Sequence, residues 1–161
     1  MSTFSVASLA TGGSYLFGGL SFTPSVAGPD GSGSPGSATS VNLNSVTLGY
    51  PSSDVSIRPQ TCYVYSVQIT DPDDVGGSTN LVATSSSFSD GSDFGTNSHT
   101  RRWAFNSGSL NPSNTYFVYF DNTPGTNVKS GSPYSGGDAY DDALEVLPGL
   151  SAQFKIVMST P

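Results

Sequence analysis

Hydrophobic and polar positions alternate with a period of two along most of this chain, which predicts about eight strands. They are "FSVASL" (4–9), "YLFGGLSFT" (15–23), "VNLNSVTLGY" (41–50), "TCYVYSVQIT" (61–70), "NLVATSSSF" (80–88), "TRRWAFN" (100–106), "YFVYF" (116–120) and "AQFKIVM" (152–158). In 41–50 the alternation changes phase between Val41/Leu43 and Val46/Leu48, so a bulge is expected at Asn44-Ser45; Gly18-Gly19 predicts a second bulge or a bend. In 61–70, Tyr63, Tyr65, Val67 and Ile69 share one face. In 100–106, Trp103 and Phe105 are expected inward and Arg101 near the rim. The last strand should turn Phe154, Ile156 and Met158 inward, with Gln153, Lys155 and Val157 outward. Helical spacing occurs once, at Tyr140, Leu144 and Leu147, where Pro148-Gly149 allows one short turn near 139–147 at most.

Residues 116–120 are apolar on both faces: Tyr116, Val118 and Phe120 point one way, Phe117 and Tyr119 the other. A strand of this kind needs cover on both sides. One set enters the core of a two-layer sandwich, and the other lies under a loop, a subunit or a ligand. Phe117 and Tyr119 are therefore the expected protein interface. Strand spacing and turn signals together predict an all-β, two-layer antiparallel β-sandwich, jelly-roll-like, as a single domain over 1–161. Residues 1–14 are expected to be a flexible N-terminal arm. The run "GPDGSGSPGSATS" (28–40), whose only hydrophobic residue is Ala38, is expected to be a long mobile loop.

Composition supports this architecture. Only 11% of residues are charged, under half the usual share of about 25%. Gly 19 and Pro 11, with many Ser, Thr and Asn, supply turns instead. Anions are nearly all Asp, and Glu145 is the one glutamate, which speaks against helices. The net charge of -7, with Arg58, Arg101, Arg102, Lys129 and Lys155 as the cations, makes nucleic acid a poor partner. Cys62 is alone and has no intrachain partner. The first twenty residues lack the pattern of an export signal, and no stretch reaches the ~20 apolar residues of a membrane span. Asn111-Pro112-Ser113 is blocked for glycosylation by its proline.

Chemistry-bearing constellations are sparse. His99 is the one histidine, and no G-x-S-x-G elbow accompanies the many serines, so no catalytic residues, cofactor or enzymatic activity are expected. The acidic clusters "DPDD" (71–74) and "DAYDD" (138–142) offer Asp71, Asp73, Asp74, Asp138, Asp141 and Asp142 as weak metal ligands. Neither matches the spacing of a calcium loop, and turns use Asp without any ion. A sugar ring has apolar faces and polar edges, so Arg102, Trp103, Tyr134, Asp138 and Tyr140 form the candidate saccharide set.

The stretches "LNSVTLGYP", "WAFNSGSLNPSNTYFVYFDN" and "YSGGDAYDD…AQFKIVMS" resemble the β-sandwich domain of PEP-CTERM and choice-of-anchor bacterial proteins, over roughly 41–158. That resemblance implies a jelly-roll-like fold akin to carbohydrate modules and brings no catalytic residues. In overall character the chain is also similar to the decoration, or cement, proteins of bacteriophage capsids. This second likeness rests on no motif. It implies a non-enzymatic virion protein, assembled in the host cytoplasm, binding between capsomers to a major capsid protein or another virion protein. It further implies a homo-oligomer, with a trimer suiting a site where three capsomers meet. A carbohydrate-binding module, extracellular in that case, is the alternative.

Overall fold

The computed structural model describes residues 2–9, 12–68, 80–95, 98–122, 125–130 and 134–161. Its strands are β1 (Thr3–Ser8), β2 (Gly13–Leu16), β3 (Gly19–Phe22), β4 (Val41–Tyr50), β5 (Cys62–Tyr65), β6 (Leu81–Thr84) and β7 (Ser87–Gly91). They continue with β8 (His99–Ala104), β9 (Ser109–Leu110), β10 (Tyr116–Phe120), β11 (Gly125–Ser130), β12 (Ala139–Tyr140), β13 (Leu150–Ala152) and β14 (Phe154–Ser159). The fold is an all-β sandwich of antiparallel sheets. One sheet runs β1-β14-β4-β8-β7, with β9 also paired to β4; its partner runs β12-β3-β10-β5-β6, and a small sheet runs β13-β11-β2.

The core lies between the two larger sheets. Val46, Leu48, Trp103, Phe154, Ile156 and Met158 come from the first; Leu20, Phe22, Cys62, Val64, Val118 and Phe120 come from the second. Trp103 and Phe120 join the layers, with ring centroids 5.0 Å apart. Burying such side chains is worth about 1.5–3 kcal/mol each, so this interface dominates the stability. The inward set Phe154, Ile156 and Met158 is the expected one. Trp103 and Phe105 are buried as expected too.

The phase slip in β4 is real and has a structural use. Val157 faces Ser45 while Met158 faces Leu43, so Asn44 is the extra residue of a bulge. On its other edge β4 changes partner at this point, from β8 over 45–50 to β9 over 41–42. Gly18-Gly19 likewise marks the change from β2 in the small sheet to β3 in the five-stranded one. A Cβ on Gly18 would sit 2.5 Å from the Asp141 carbonyl oxygen, and one on Gly19 2.5 Å from that of Val118. Only glycine permits so close an approach.

Three expectations need correction. Residues 3–8 are not part of a flexible arm: Phe4 to Ser8 are buried, and β1 pairs with β14 along its whole length. Loop 28–40 is tied down near its start, since Ser5 and Ser32 exchange backbone hydrogen bonds at 2.7 and 3.1 Å and Asp30 N–H donates to the Ala7 carbonyl. These bonds close the free edge of β1, which would otherwise invite another strand. Residues 139–147 keep within the expected bound of one helical turn at most, since none forms there. Leu144 has φ 62°, and Asp141 Oδ1 accepts from Ala143 N–H at 2.9 Å and Glu145 N–H at 3.0 Å, fixing a tight loop.

Arg101 is the third correction. It points inward but is buried rather than at the rim, because Asp90 faces it directly from β7. Among the described residues the one helical piece, a 3-10 turn at Val55–Ile57, belongs to the loop that closes over this pair.

Candidate functional site

The outer face of the five-stranded sheet carries a cleft of about 500 Å³. It is lined by Ser21, Thr23, Thr115, Gln68, Asp138 and Tyr140 together with the Gly136-Gly137 backbone. The stretch Tyr134-Ser-Gly-Gly-Asp138-Ala-Tyr140 builds one wall. Tyr134 is the anchor: its ring packs edge-on against Phe154 at 5.2 Å, and its hydroxyl accepts from Thr23 N–H at 3.1 Å and donates to the Thr23 carbonyl. Burial pushes that phenol up to about 12, so it stays protonated and can donate. A Cβ at Gly137 would collide with the Ser21 carbonyl, and one at Gly136 with the Tyr134 hydroxyl and Val26. The paired glycines thus let the wall lie flat against β3.

Polar groups on the cleft floor are held in register by one another. Thr23 Oγ1 donates to the Gly136 carbonyl at 2.8 Å and shares a 2.8 Å bond with Thr115 Oγ1. Asp138 N–H donates to Ser21 Oγ at 2.8 Å, and Ser21 Oγ lies 3.4 Å from the Tyr140 hydroxyl. Gln68 Nε2 donates to the Leu144 carbonyl, which stations this amide at the rim. Asp138 itself is exposed. The result is a preorganised row of hydroxyls with one amide and one carboxylate, suited to a hydroxyl-rich ligand.

The structure divides the expected saccharide set. Asp138 and Tyr140 meet in this cleft, and Tyr134 supports it from behind. Tyr140 is only 5% exposed, too little for a ring to stack on. Trp103 is fully buried, with its indole N–H donating to the Pro59 carbonyl at 3.1 Å, so it is a core residue and no sugar platform. Arg102 is exposed on β8, in the other sheet. Gln68, Ser21, Thr23 and Thr115 were not legible as site residues, because Ser and Thr abound in this chain and only strand pairing gathers these few.

The expected protein interface is closed. Phe117 is 1% exposed and Tyr119 6%. With Tyr65, Tyr140 and Leu144 they form a second apolar cluster, packed by Tyr63 and Leu81. Phe117 meets Tyr140 edge-on at 5.0 Å. The cover on this face of β10 therefore comes from the chain's own 140–144 loop, not from a second protein. This corrects the assignment of Phe117 and Tyr119 to a contact surface.

Of the acidic candidates, Asp71, Asp73 and Asp74 lie outside the described residues. Asp141 spends Oδ1 on two backbone N–H groups of its own loop. Among the described residues no three His, Cys, Asp or Glu side chains gather into a metal-sized group. Cys62 is fully buried, and burial pushes its thiol well up, which leaves it unreactive. Among the described residues no helix is long and apolar enough to cross a membrane.

No known protein family and no curated protein matches the chain. Among solved structures, a clostridial cysteine protease, Cwp84, after propeptide cleavage is similar at TM-score 0.46 and 11% identity over 92% of this chain and 37% of that one. A second is the cysteine protease and lectin-like domains of Cwp84, a surface layer associated protein of Clostridium difficile. It matches at TM-score 0.46 and 10% identity over 92% of this chain and 33% of that one. The chain thus spans about a third of the length of either protein, and likeness at this level lends no weight to a function.

Proposed function

We propose that this β-sandwich is a non-enzymatic binding module whose ligand is a neutral saccharide held in the cleft between β3, β10 and the Gly136-Gly137 loop. The supporting observation is the convergence there of Ser21, Thr23, Thr115, Gln68 and Asp138, pre-aligned by their mutual hydrogen bonds. Sugar hydroxyls both donate and accept, and Asp138 can accept two of them at once. Binding would rest on hydrogen bonds rather than on ring stacking, since the aromatic residues in the wall are buried. Affinity should accordingly be modest, because each such bond contributes only about 0.5–1.5 kcal/mol net.

Titration by NMR with neutral mono- and oligosaccharides tests this reading. Shifts should appear at Ser21, Thr115 and Gly137, and Asp138→Asn should weaken binding roughly tenfold, the scale of one hydrogen bond to a charged group. No shift at about 10 mM sugar, where even a millimolar site would fill, would overturn it.

A second reading, a capsid-bound cement protein, draws on a different observation. Tyr15 and Leu16 are 50% and 56% exposed on β2, an edge strand of the small sheet. Exposed apolar side chains on an edge invite protein contact. Co-sedimentation with phage capsids, lost in a Tyr15→Ser/Leu16→Ser variant, would support it; a protein that stays in the supernatant would remove it.

A further inference from the structure

We propose a second ligand site on the opposite face of the sandwich, specific for a sugar unit that carries one carboxylate. The chain has a net charge of -7. Of the four cations whose side chains the structure describes, Arg58 and Arg101 are buried, and Arg102 and Lys155 are exposed. Those two share one face and one cross-strand row. Lys155 of β14 is opposite Thr47 of β4, and Thr47 is opposite Arg102 of β8. With neighbouring strands about 4.8 Å apart, their Cα atoms stand about 10 Å from each other, a gap that two long cationic side chains can close over one oxyanion.

Other groups around them complete the recognition of a sugar. Arg102 and Lys155 line a cleft of about 240 Å³ with Ser45, Thr47, Asp93 and Phe94. Phe94 is half-buried beside the cations, offering an apolar face against which a pyranose can lie. Asp93, exposed at the rim, and the half-buried Ser45 hydroxyl supply acceptors and a donor for ring hydroxyls, above the buried Thr47. Neither Arg102 nor Lys155 forms an ion pair among the described residues; the two ion pairs of the molecule's described part both use Asp90. Two cations against one carboxylate leave a local excess of positive charge on an otherwise acidic protein.

Charge balance also narrows the ligand. A long polyanion would be repelled by the remaining surface, whereas a short saccharide with a single uronic acid meets the cations alone. Arg102 can grip a carboxylate through two parallel N–H bonds, while Lys155 adds a point charge. The site shares no residue with the Asp138 cleft and does not depend on that reading.

The experiment is a titration of the purified chain with a disaccharide of one galacturonic acid and one neutral hexose, its methyl ester and inorganic sulfate. The free acid is expected to bind, with shifts at Thr47, Phe94 and Arg102. The methyl ester should bind at least roughly tenfold more weakly, and Arg102→Gln and Lys155→Gln should each cost a similar factor. Affinity should fall as salt rises, and Phe94→Ala should weaken the sugar while leaving sulfate unchanged. Asp138→Asn should have no effect. All four exchanged side chains lie at the surface or partly so, and circular dichroism verifies the fold. Equal binding of acid and ester, insensitivity to both charge variants, or no binding at about 10 mM would overturn the proposal. Sulfate bound as tightly as the sugar would reduce it to a general anion site and overturn the sugar assignment.

Discussion

Arg101 and Asp90 face each other across neighbouring strands, and the guanidinium holds both carboxylate oxygens, Nε to Oδ1 at 2.8 Å and Nη2 to Oδ2 at 2.9 Å. Arg58 reaches the same Oδ1 at 2.9 Å and also donates to the Thr100 and Ser52 carbonyls. Arg101 further donates to the carbonyls of Val55, Arg58 and Pro59. Its guanidinium lies 3.8 Å from the Phe88 ring centroid, and that of Arg58 lies 5.0 Å from the Tyr50 ring. One carboxylate therefore balances two buried guanidinium groups and fastens the 52–59 loop to the first sheet.

Replacing Asp90 with Ala should destabilise the fold by about 3 kcal/mol, the low end for breaking a buried pair because this carboxylate is partly exposed. Urea denaturation of the two proteins measures it. A loss below about 0.5 kcal/mol, as for an ordinary surface pair, would refute the role given to Asp90.

The same cluster sets a pH dependence. Hydrogen bonding from Arg101, and the charge of both arginines, holds the Asp90 carboxyl below its usual 3.8. The native state thus binds this proton less readily than the unfolded chain. The stabilisation is complete above the unfolded value near 4 and is lost as pH falls through the depressed native one. Thermal melts between pH 6 and pH 2 should show a steeper decline for the natural protein than for Asp90→Asn, and parallel curves would contradict it.

Phe117→Ala should cost about 3–5 kcal/mol in the isolated protein, as for large buried side chains elsewhere. Chemical denaturation at two protein concentrations checks this. A ring that served only to meet a second protein would leave the isolated chain's stability unchanged.

Tyr134→Phe keeps the ring against Phe154 but leaves the Thr23 N–H without its acceptor. The expected loss is about 1–2 kcal/mol, with faster hydrogen exchange of the Thr23 amide and of the 135–138 backbone. Unchanged exchange would show that the phenol does not anchor the cleft wall.

Asp141→Ala removes the acceptor for two N–H groups in the loop that covers Phe117, and Leu144 must keep its left-handed backbone without that help. A loss of about 1–2 kcal/mol is expected, read from the denaturation midpoint. An unaltered midpoint would mean the loop is held by Leu144 packing alone.

Periodicity and residue type by themselves determined the all-β class, the inward sets Val41/Leu43, Val46/Leu48 and Phe154/Ile156/Met158, and the bulge at Asn44. These are local consequences of a side chain changing face at every residue. They also required that β10 be covered on both sides. What covers it was decided only by tertiary structure, since Tyr140 and Leu144 reach Phe117 through the pairing of β12 with β3. Arg101 followed the same course: alternation placed it inward, but charge argued for the rim until strand pairing brought Asp90 opposite. The cleft residues, common Ser and Thr in the sequence, likewise became a group only when separate strands met. Contacts between distant segments depend on strand order and register, and a period-two pattern, the same in every strand, carries no record of which strand lies beside which.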